Sequence, residues 1–61
     1  MKIETELGWY ESRDNVLYGS DGKPFDKWFF ELRGDDLLLT VSRDGQYVIT
    51  IKIYSVQKTL F

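Results

Sequence analysis

The sequence predicts a small all-β fold, a five-stranded antiparallel meander that forms a strongly bent sheet or an SH3-like barrel. Apolar and polar residues alternate along several short segments, as they do in strands that bury one face. Glycine-containing turn sequences separate these segments. Ten aromatic residues in a chain of 61 supply the large side chains that a small core needs. The length fits one domain over residues 1–61.

The N-terminal part is predicted to contain two of the five strands. Residues 2–11 alternate, with Ile3 and Trp9 on the same side, and are expected to form a half-exposed first strand. A polar four-residue loop at 12–15 then leads to a short second strand at 16–19.

Residues 19–24 have the strongest turn composition, with two glycines and the only proline of the chain. Pro24 has no backbone N–H, which places it at a strand start, a sheet edge or a bulge. The loop is a candidate for contacting a partner, although a plain connecting turn is the favoured interpretation.

Residues 28–54 predict the remaining three strands, joined by two tight turns. In the first turn, a two-residue Gly34-Asp35 loop places Leu32 opposite Leu37. Glycine supplies the positive φ that a type II′ turn requires at its first central position.

The second turn is predicted to be a three-residue loop at 43–45, which places Val41 opposite Tyr47. Gly45 then occupies the left-handed position of a type I turn followed by a bulge. A two-residue loop would send the following isoleucines to the opposite face, so the hydrophobic pattern favours the longer loop.

These turns give the meander two apolar faces. The first face is the predicted core and contains Trp28, Phe30, Leu32, Leu37, Leu39, Val41, Tyr47, Ile49 and Ile51. The second is centred on Phe29, Leu38 and Val48, and Tyr10, Leu17 and Tyr54 are expected to join it. An apolar patch on a small protein indicates an interface, which makes the candidate partner-binding residues Tyr10, Phe29, Leu38, Val48 and Tyr54. Coverage of this face by residues 19–25 or by the C-terminal tail is an equal alternative.

A helix at residues 24–33 is the alternative to the first strand of the meander. Phe25, Trp28, Phe29 and Leu32 also match helical spacing, and the result would be a ββαββ fold. The strand is favoured two to one because consecutive aromatic residues prefer strands, and because Lys23 in front of Pro24 is a poor helix cap.

Pairing of the first strand with the last is expected to close the sheet. Closure protects the apolar last strand, which would otherwise be an edge prone to aggregation. Glu4 and Glu6 could meet Lys52 and Lys58 across this pair. At the terminus, Leu60 and Phe61 are expected to plug an open end of the core or to dock on a partner. A homodimer through an edge or a sheet face is the alternative to closure.

The composition argues against an enzyme. Without histidine or cysteine, the chain lacks the usual general base, thiol nucleophile and soft-metal ligands, and no cofactor or metal is expected. Asp35 and Asp36 form the one obvious carboxylate pair. Turn chemistry explains them better, with Asp36 answering Arg33 and Lys52.

The charge pattern argues against a nucleic-acid or membrane surface. The net charge is −2 and both signs are interspersed, whereas such surfaces need clustered basic residues. No signal peptide or membrane span is evident, and the absence of cysteine is compatible with the cytoplasm, where we expect the protein.

The favoured function is a non-catalytic protein-binding module, such as an inhibitor that occupies the surface of a partner protein. One alternative is a small barrel that binds single-stranded nucleic acid by stacking bases on Trp9, Tyr10, Trp28 or Phe29. Another is a homo-oligomeric structural protein. A phage or mobile-element origin would suit so short a chain.

Overall fold

The computed structural model describes residues 1–58, apart from the side chain of Tyr47. This part of the chain forms one antiparallel sheet and contains no helix. The strands are β1 (Lys2–Thr5), β2 (Gly8–Arg13), β3 (Val16–Tyr18), β4 (Pro24–Phe25), β5 (Lys27–Arg33), β6 (Asp36–Arg43) and β7 (Tyr47–Gln57). Their order across the sheet is β4-β3-β2-β1-β7-β6-β5, and the sheet curls into a nearly closed barrel. The all-β prediction is confirmed, but the predicted number of five strands and the alternative helix at 24–33 are wrong.

Residues 2–11, which were predicted to form one strand, belong instead to a hairpin of β1 and β2. The hydroxyl of Thr5 accepts a hydrogen bond from the Leu7 N–H at 3.1 Å and donates one to the Gly8 carbonyl at 2.8 Å. Gly8 has a φ of 114°, which only glycine adopts readily. The chain therefore reverses after Thr5, and Ile3 faces the core while Trp9 lies on the outer face, 45% exposed.

The next loop is also tighter than predicted. Asp14 and Asn15 have φ values of 53° and 67°, and Arg13 pairs directly with Val16. Two consecutive positive φ values define a two-residue type I′ turn, which Asp and Asn tolerate better than other residues with a side chain. The prediction of a four-residue loop at 12–15 is wrong, because Ser12 and Arg13 belong to β2 and pair with β3.

The loop before β4 is held by its own backbone. The Gly19 N–H donates to the Lys23 carbonyl at 3.0 Å, and the Gly22 N–H donates to the Gly19 carbonyl at 2.9 Å. The Lys23 N–H donates to the Asp21 carboxylate, and this hydrogen bond is the main cause of a pKa of Asp21 below its usual value. Pro24 starts β4, one of the positions predicted for it.

A corner at Asp26 brings β4 against the end of β6 and closes most of the barrel. The Asp26 N–H donates to the Ser42 carbonyl at 3.2 Å, and the Asp26 carboxylate accepts from the Asp44 N–H at 3.0 Å. Arg43 donates from Nε to the Pro24 carbonyl at 3.0 Å, and its guanidinium carbon lies 4.2 Å from the centroid of the Phe25 ring.

The pairing of the first strand with the last is confirmed, and it places β7 inside the sheet, between β1 and β6. Glu4 accepts a hydrogen bond from the Ser55 hydroxyl, and Glu6 accepts one from the Lys52 N–H. The acidic residues of the N-terminus therefore meet β7, through neutral donors instead of lysine side chains. Leu60 and Phe61 lie outside the described residues.

The β5–β6 hairpin has the predicted register, with Leu32 opposite Leu37 and Trp28 opposite Val41. Gly34 has a φ of 62°, and Asp35 is not among the residues with positive φ. A positive φ at the first central position alone is the signature of a type II′ turn.

The β6–β7 loop has the predicted length but begins one residue later, at Asp44. Asp44 and Gly45 have φ values of 57° and 66°, and the Gln46 N–H donates to the Arg43 carbonyl at 3.2 Å. A type I′ pair followed by one extra residue replaces the expected loop at 43–45. Arg43, not Val41, pairs with Tyr47, so each partner moves by two residues and the faces are unchanged.

The core lies at one end of the barrel. It consists of Ile3, Tyr10, Leu17, Phe25, Leu39, Val41, Ile51 and Ile53, with Met1, Trp28 and Ile49 packed against it. The prediction that Phe30, Leu32 and Leu37 belong to the core is wrong. Their side chains are 40%, 74% and 36% exposed. Their half of the β5–β6 hairpin extends beyond the short strands β1–β4, so nothing in the described residues covers it. Tyr47 was also predicted to be a core residue, but its side chain lies outside the described part of the structure.

Leu39→Ala should lower the free energy of unfolding by about 2–5 kcal/mol, because its side chain is fully buried. The neighbouring Leu37→Ala, on the same face of the same strand, should cost about 0.5 kcal/mol. Urea unfolding followed by tryptophan fluorescence measures both. Equal losses in the two variants would show that the core extends to the hairpin end.

Candidate protein-binding surface

The outer face of β5, β6 and β7 carries most of the predicted binding residues. The registers of the two hairpins place its side chains in rows that run across the three strands. The rows are Lys27, Ser42 and Val48; Phe29, Thr40 and Thr50; and Glu31, Leu38 and Lys52. The two-residue shift in the β6–β7 register moves Val48 from the predicted row of Phe29 into the row of Lys27.

A groove runs along β6 between Phe29 and Val48. These two side chains are 56% and 65% exposed, whereas Thr40 and Ser42 between them are each only 9% exposed. Small residues on a central strand and large ones on both flanking strands create a trough by size alone. Its volume is about 380 Å³. The remaining lining residues are Asp26, Lys27, Trp28 and Val41.

The polar groups of the groove are mostly satisfied within the protein. The hydroxyls of Thr40 and Thr50 share a hydrogen bond of 3.1 Å, and Asp26 is engaged by the Asp44 N–H. Lys27 is exposed at the rim and makes no ion pair with the described residues. The groove therefore has apolar walls, a floor whose polar groups mostly have hydrogen-bond partners, and one positive charge at its rim.

Charged side chains border the groove at the hairpin end. Arg33 pairs with Glu31 on its own strand at 3.2 Å, and Lys52 pairs with Asp36 at 3.7 Å. The expected link from Asp36 to Lys52 is confirmed, but Arg33 turns to Glu31 instead of Asp36. All four side chains are substantially exposed, so these pairs contribute little stability.

Leu38 and Tyr54 lie at different distances from the groove. Leu38 is half-buried in the next row, between Glu31 and Lys52, and extends the apolar surface by one residue. Tyr54 is 60% exposed, but it lies beyond Lys52 on β7, so the charged row separates it from the groove.

The expected placement of Tyr10 and Leu17 on this face is wrong. Tyr10 is 8% exposed and stacks on Phe25 with ring centroids 5.8 Å apart, and Leu17 is fully buried. The chain reversal after Thr5 turns Tyr10 to the same face as Ile3, inside the barrel. Tyr10 is therefore a core residue.

Residues 19–25 do not cover the outer face, because Phe29 and Val48 remain more than half exposed. The suggested cover by the C-terminal tail falls outside the described residues. Sequence reasoning missed Lys27 and Ser42 as parts of the groove. The alternation of Leu38, Thr40 and Ser42 along one face of β6 was the available signal, since it predicts a strand that becomes smaller toward one end.

A second groove crosses the outer face of β1, β2 and β3. Trp9 is 45% exposed there, and the Arg13 guanidinium carbon lies 4.4 Å from the centroid of the Tyr18 ring. Arg13 also pairs with Glu11 at 3.8 Å. The volume is about 640 Å³, with Lys2 among the lining residues. This groove is larger but more charged, and its arginine is already engaged twice.

The described residues contain no group of three acidic side chains able to hold a metal ion. Residues 1–58 also include no helix with the length and apolar character needed to cross a membrane. Comparisons with known protein families, curated proteins and solved structures find no match for this chain.

Thr50→Val should destabilise the protein by about 0.5–1.5 kcal/mol, because the part-buried hydrogen bond between the Thr40 and Thr50 hydroxyls is lost. The double variant Thr40→Val/Thr50→Val should recover much of that loss, since no polar group is then left unpaired. Thermal unfolding of the single and double variants measures the coupling. Additive losses would mean that the hydroxyls do not depend on each other.

Proposed function

We propose that this chain is a small, non-catalytic, cytoplasmic protein-binding module that acts by occupying the surface of a partner protein, as an inhibitor does. Its binding site is the groove between Phe29 and Val48, with Leu38 at its border. The observation that carries this proposal is the pair of apolar walls left more than half exposed on a well-paired part of the sheet.

The groove has the physical properties of an interface centre. Phe29 is a large rigid side chain, and aromatic residues are frequent binding hot spots. Complete burial of an exposed side chain of this kind contributes about 1.5–3 kcal/mol. The three antiparallel strands hold the walls in place, so little conformational entropy would be lost on binding.

The surroundings of the groove favour a protein over a nucleic acid. A strand of nucleic acid needs a basic track beside stacked aromatic rings. The groove has Lys27 at its rim and Asp26 beside it, and the chain carries a net charge of −2. An apolar side chain of a partner fits between the walls, and an acidic group next to it would meet Lys27.

Phe29→Thr and Val48→Lys should each weaken partner binding at least about tenfold, the equivalent of 1.4 kcal/mol. Both replacements act at exposed positions, and threonine keeps the preference for a strand. Tagged wild-type protein identifies the partner by affinity purification from its native cells, and calorimetry with the purified partner then measures each affinity.

Trp9→Thr is the matched control, because Trp9 is an exposed aromatic residue on the other outer groove. Its affinity should equal that of the wild type, and circular dichroism should show all three variants folded. Failure of the wild type to retain any stoichiometric partner would refute the proposal. A loss of binding in Trp9→Thr alone would move the site to the β1–β3 groove.

Ser42→Leu offers a second test with both walls intact. Leucine at this position fills the floor of the groove, so binding should fall although no apolar contact is removed. Ser20→Leu, at an exposed loop position, controls for added hydrophobicity. Calorimetry with the same purified partner compares them, and unchanged affinity in Ser42→Leu would show that the partner does not enter the groove.

A further inference from the structure

β5 is an edge of the sheet and has neither a proline nor a bulge, two features that often protect an edge strand from pairing. It lies at the end of the strand order and pairs with β6 without a bulge over seven residues, from Lys27 to Arg33. No proline interrupts it, and its charged side chains are at the two ends and at Glu31. Long, regular edge strands are templates for pairing with another strand.

The hairpin turn determines which backbone groups of β5 face outward. A two-residue loop makes the flanking residues, Arg33 and Asp36, a hydrogen-bonded pair. Alternate residues of β5 then bond to β6, and those between them point their N–H and C=O groups away from the sheet. The outward-pointing residues are Trp28, Phe30 and Leu32.

The same three residues carry the inner-face side chains of β5. Leu32 is 74% exposed and Phe30 is 40% exposed, next to Leu37 at 36%. Trp28 is half-buried and meets the Phe30 ring edge to face at 5.7 Å. Unpaired backbone groups and uncovered apolar side chains therefore coincide on one half-strand.

From this coincidence we infer that two copies of the chain associate by pairing β5 with β5, antiparallel, about a twofold axis at Phe30. Phe30 then lies opposite Phe30 of the second copy, and Trp28 lies opposite Leu32 of the second copy. These are three hydrogen-bonded pairs that exchange two bonds each, so all six outward-facing groups of each copy are used. The exposed Leu32 packs on an indole ring.

The charges of the strand oppose this register in the directly facing pair and favour it in the diagonal contacts. On the outer face, Lys27 lies opposite Arg33 of the second copy, which is already paired with Glu31 of its own chain. Lys27 is also diagonal to Glu31 and close to Asp35 of that copy. Lys27 is the charged residue of β5 that makes no ion pair with the described residues. In this register it lies near the acidic groups at the hairpin end of the second copy.

The second copy is favoured over an unrelated strand because this edge is complementary to itself. On the inner face, Trp28 and Leu32 lie symmetrically about Phe30, and the pairing needs no other sequence. On the outer face, Phe29 lies opposite Glu31 of the second copy. One strand edge and a few side chains per copy give a small interface, below about 1,200 Å², which predicts weak and reversible association. Edge pairing leaves the groove between Phe29 and Val48 open, but it shares Lys27 at the groove rim with the proposed binding site.

A cysteine placed at the twofold axis tests the register directly. The chain has no cysteine, so a single substitution introduces the only thiol. In Phe30→Cys the two Cα atoms would lie about 5.5 Å apart, within the range of disulfides. In the control Lys27→Cys they would lie about 20 Å apart along the strands. Oxidised glutathione should link Phe30→Cys at least about tenfold faster. Equal rates would overturn the inference.

Sedimentation equilibrium tests the same contact without a thiol. The wild type should show a monomer–dimer equilibrium with a dissociation constant below about 1 mM. Leu32→Lys should raise the dissociation constant at least about tenfold, because lysine on an edge strand opposes pairing. Leu7→Lys, at an exposed position in the β1–β2 turn, should leave it unchanged. A monomeric wild type, or an unchanged Leu32→Lys, would overturn the inference.

Discussion

The pairing of β1 with β7 is the contact on which the rest of the structure depends. It joins the two ends of the described chain, with Glu4 and Ser55 bonded across 51 positions of sequence. Without it, the N-terminal strands and the C-terminal meander would be two separate small sheets, each with an apolar face exposed to water. With it, Ile3 joins Ile51 and Ile53 in one core. The register of this strand pair shifts by one residue between Glu4 and Thr5.

This closure has an unequal effect on the long β5–β6 hairpin. The corner at Asp26 and the bonds from Arg43 attach one end of the hairpin to β4, while the short strands β1–β4 leave its other end uncovered. The two faces and the free edge of β5 then differ in chemistry. The outer face forms a groove with Phe29 as one wall, and the edge presents Phe30 and Leu32. One strand therefore carries both surfaces for which a partner is proposed.

The groove depends on register and on side-chain size together. Had Val48 stood in the row of Phe29, as first expected, both walls would have faced each other across Thr40 alone. The observed loop at Asp44 displaces Val48 by one row, which adds the small Ser42 to the floor and Lys27 to the rim. Because the loop begins one residue later than predicted, different side chains line the groove, while the same face of the sheet remains buried.

The sequence by itself determined the strands of the meander, the type II′ turn at Gly34, and the face of the sheet on which Phe29 and Val48 lie. These follow from alternation and glycine chemistry, which act between neighbouring residues. Only the tertiary structure decided that residues 2–11 form a hairpin, that Tyr10 is core, and that Phe30 and Leu32 are exposed. The reason is physical: alternation specifies that a strand has an apolar face, but burial of that face requires another strand long enough to reach it.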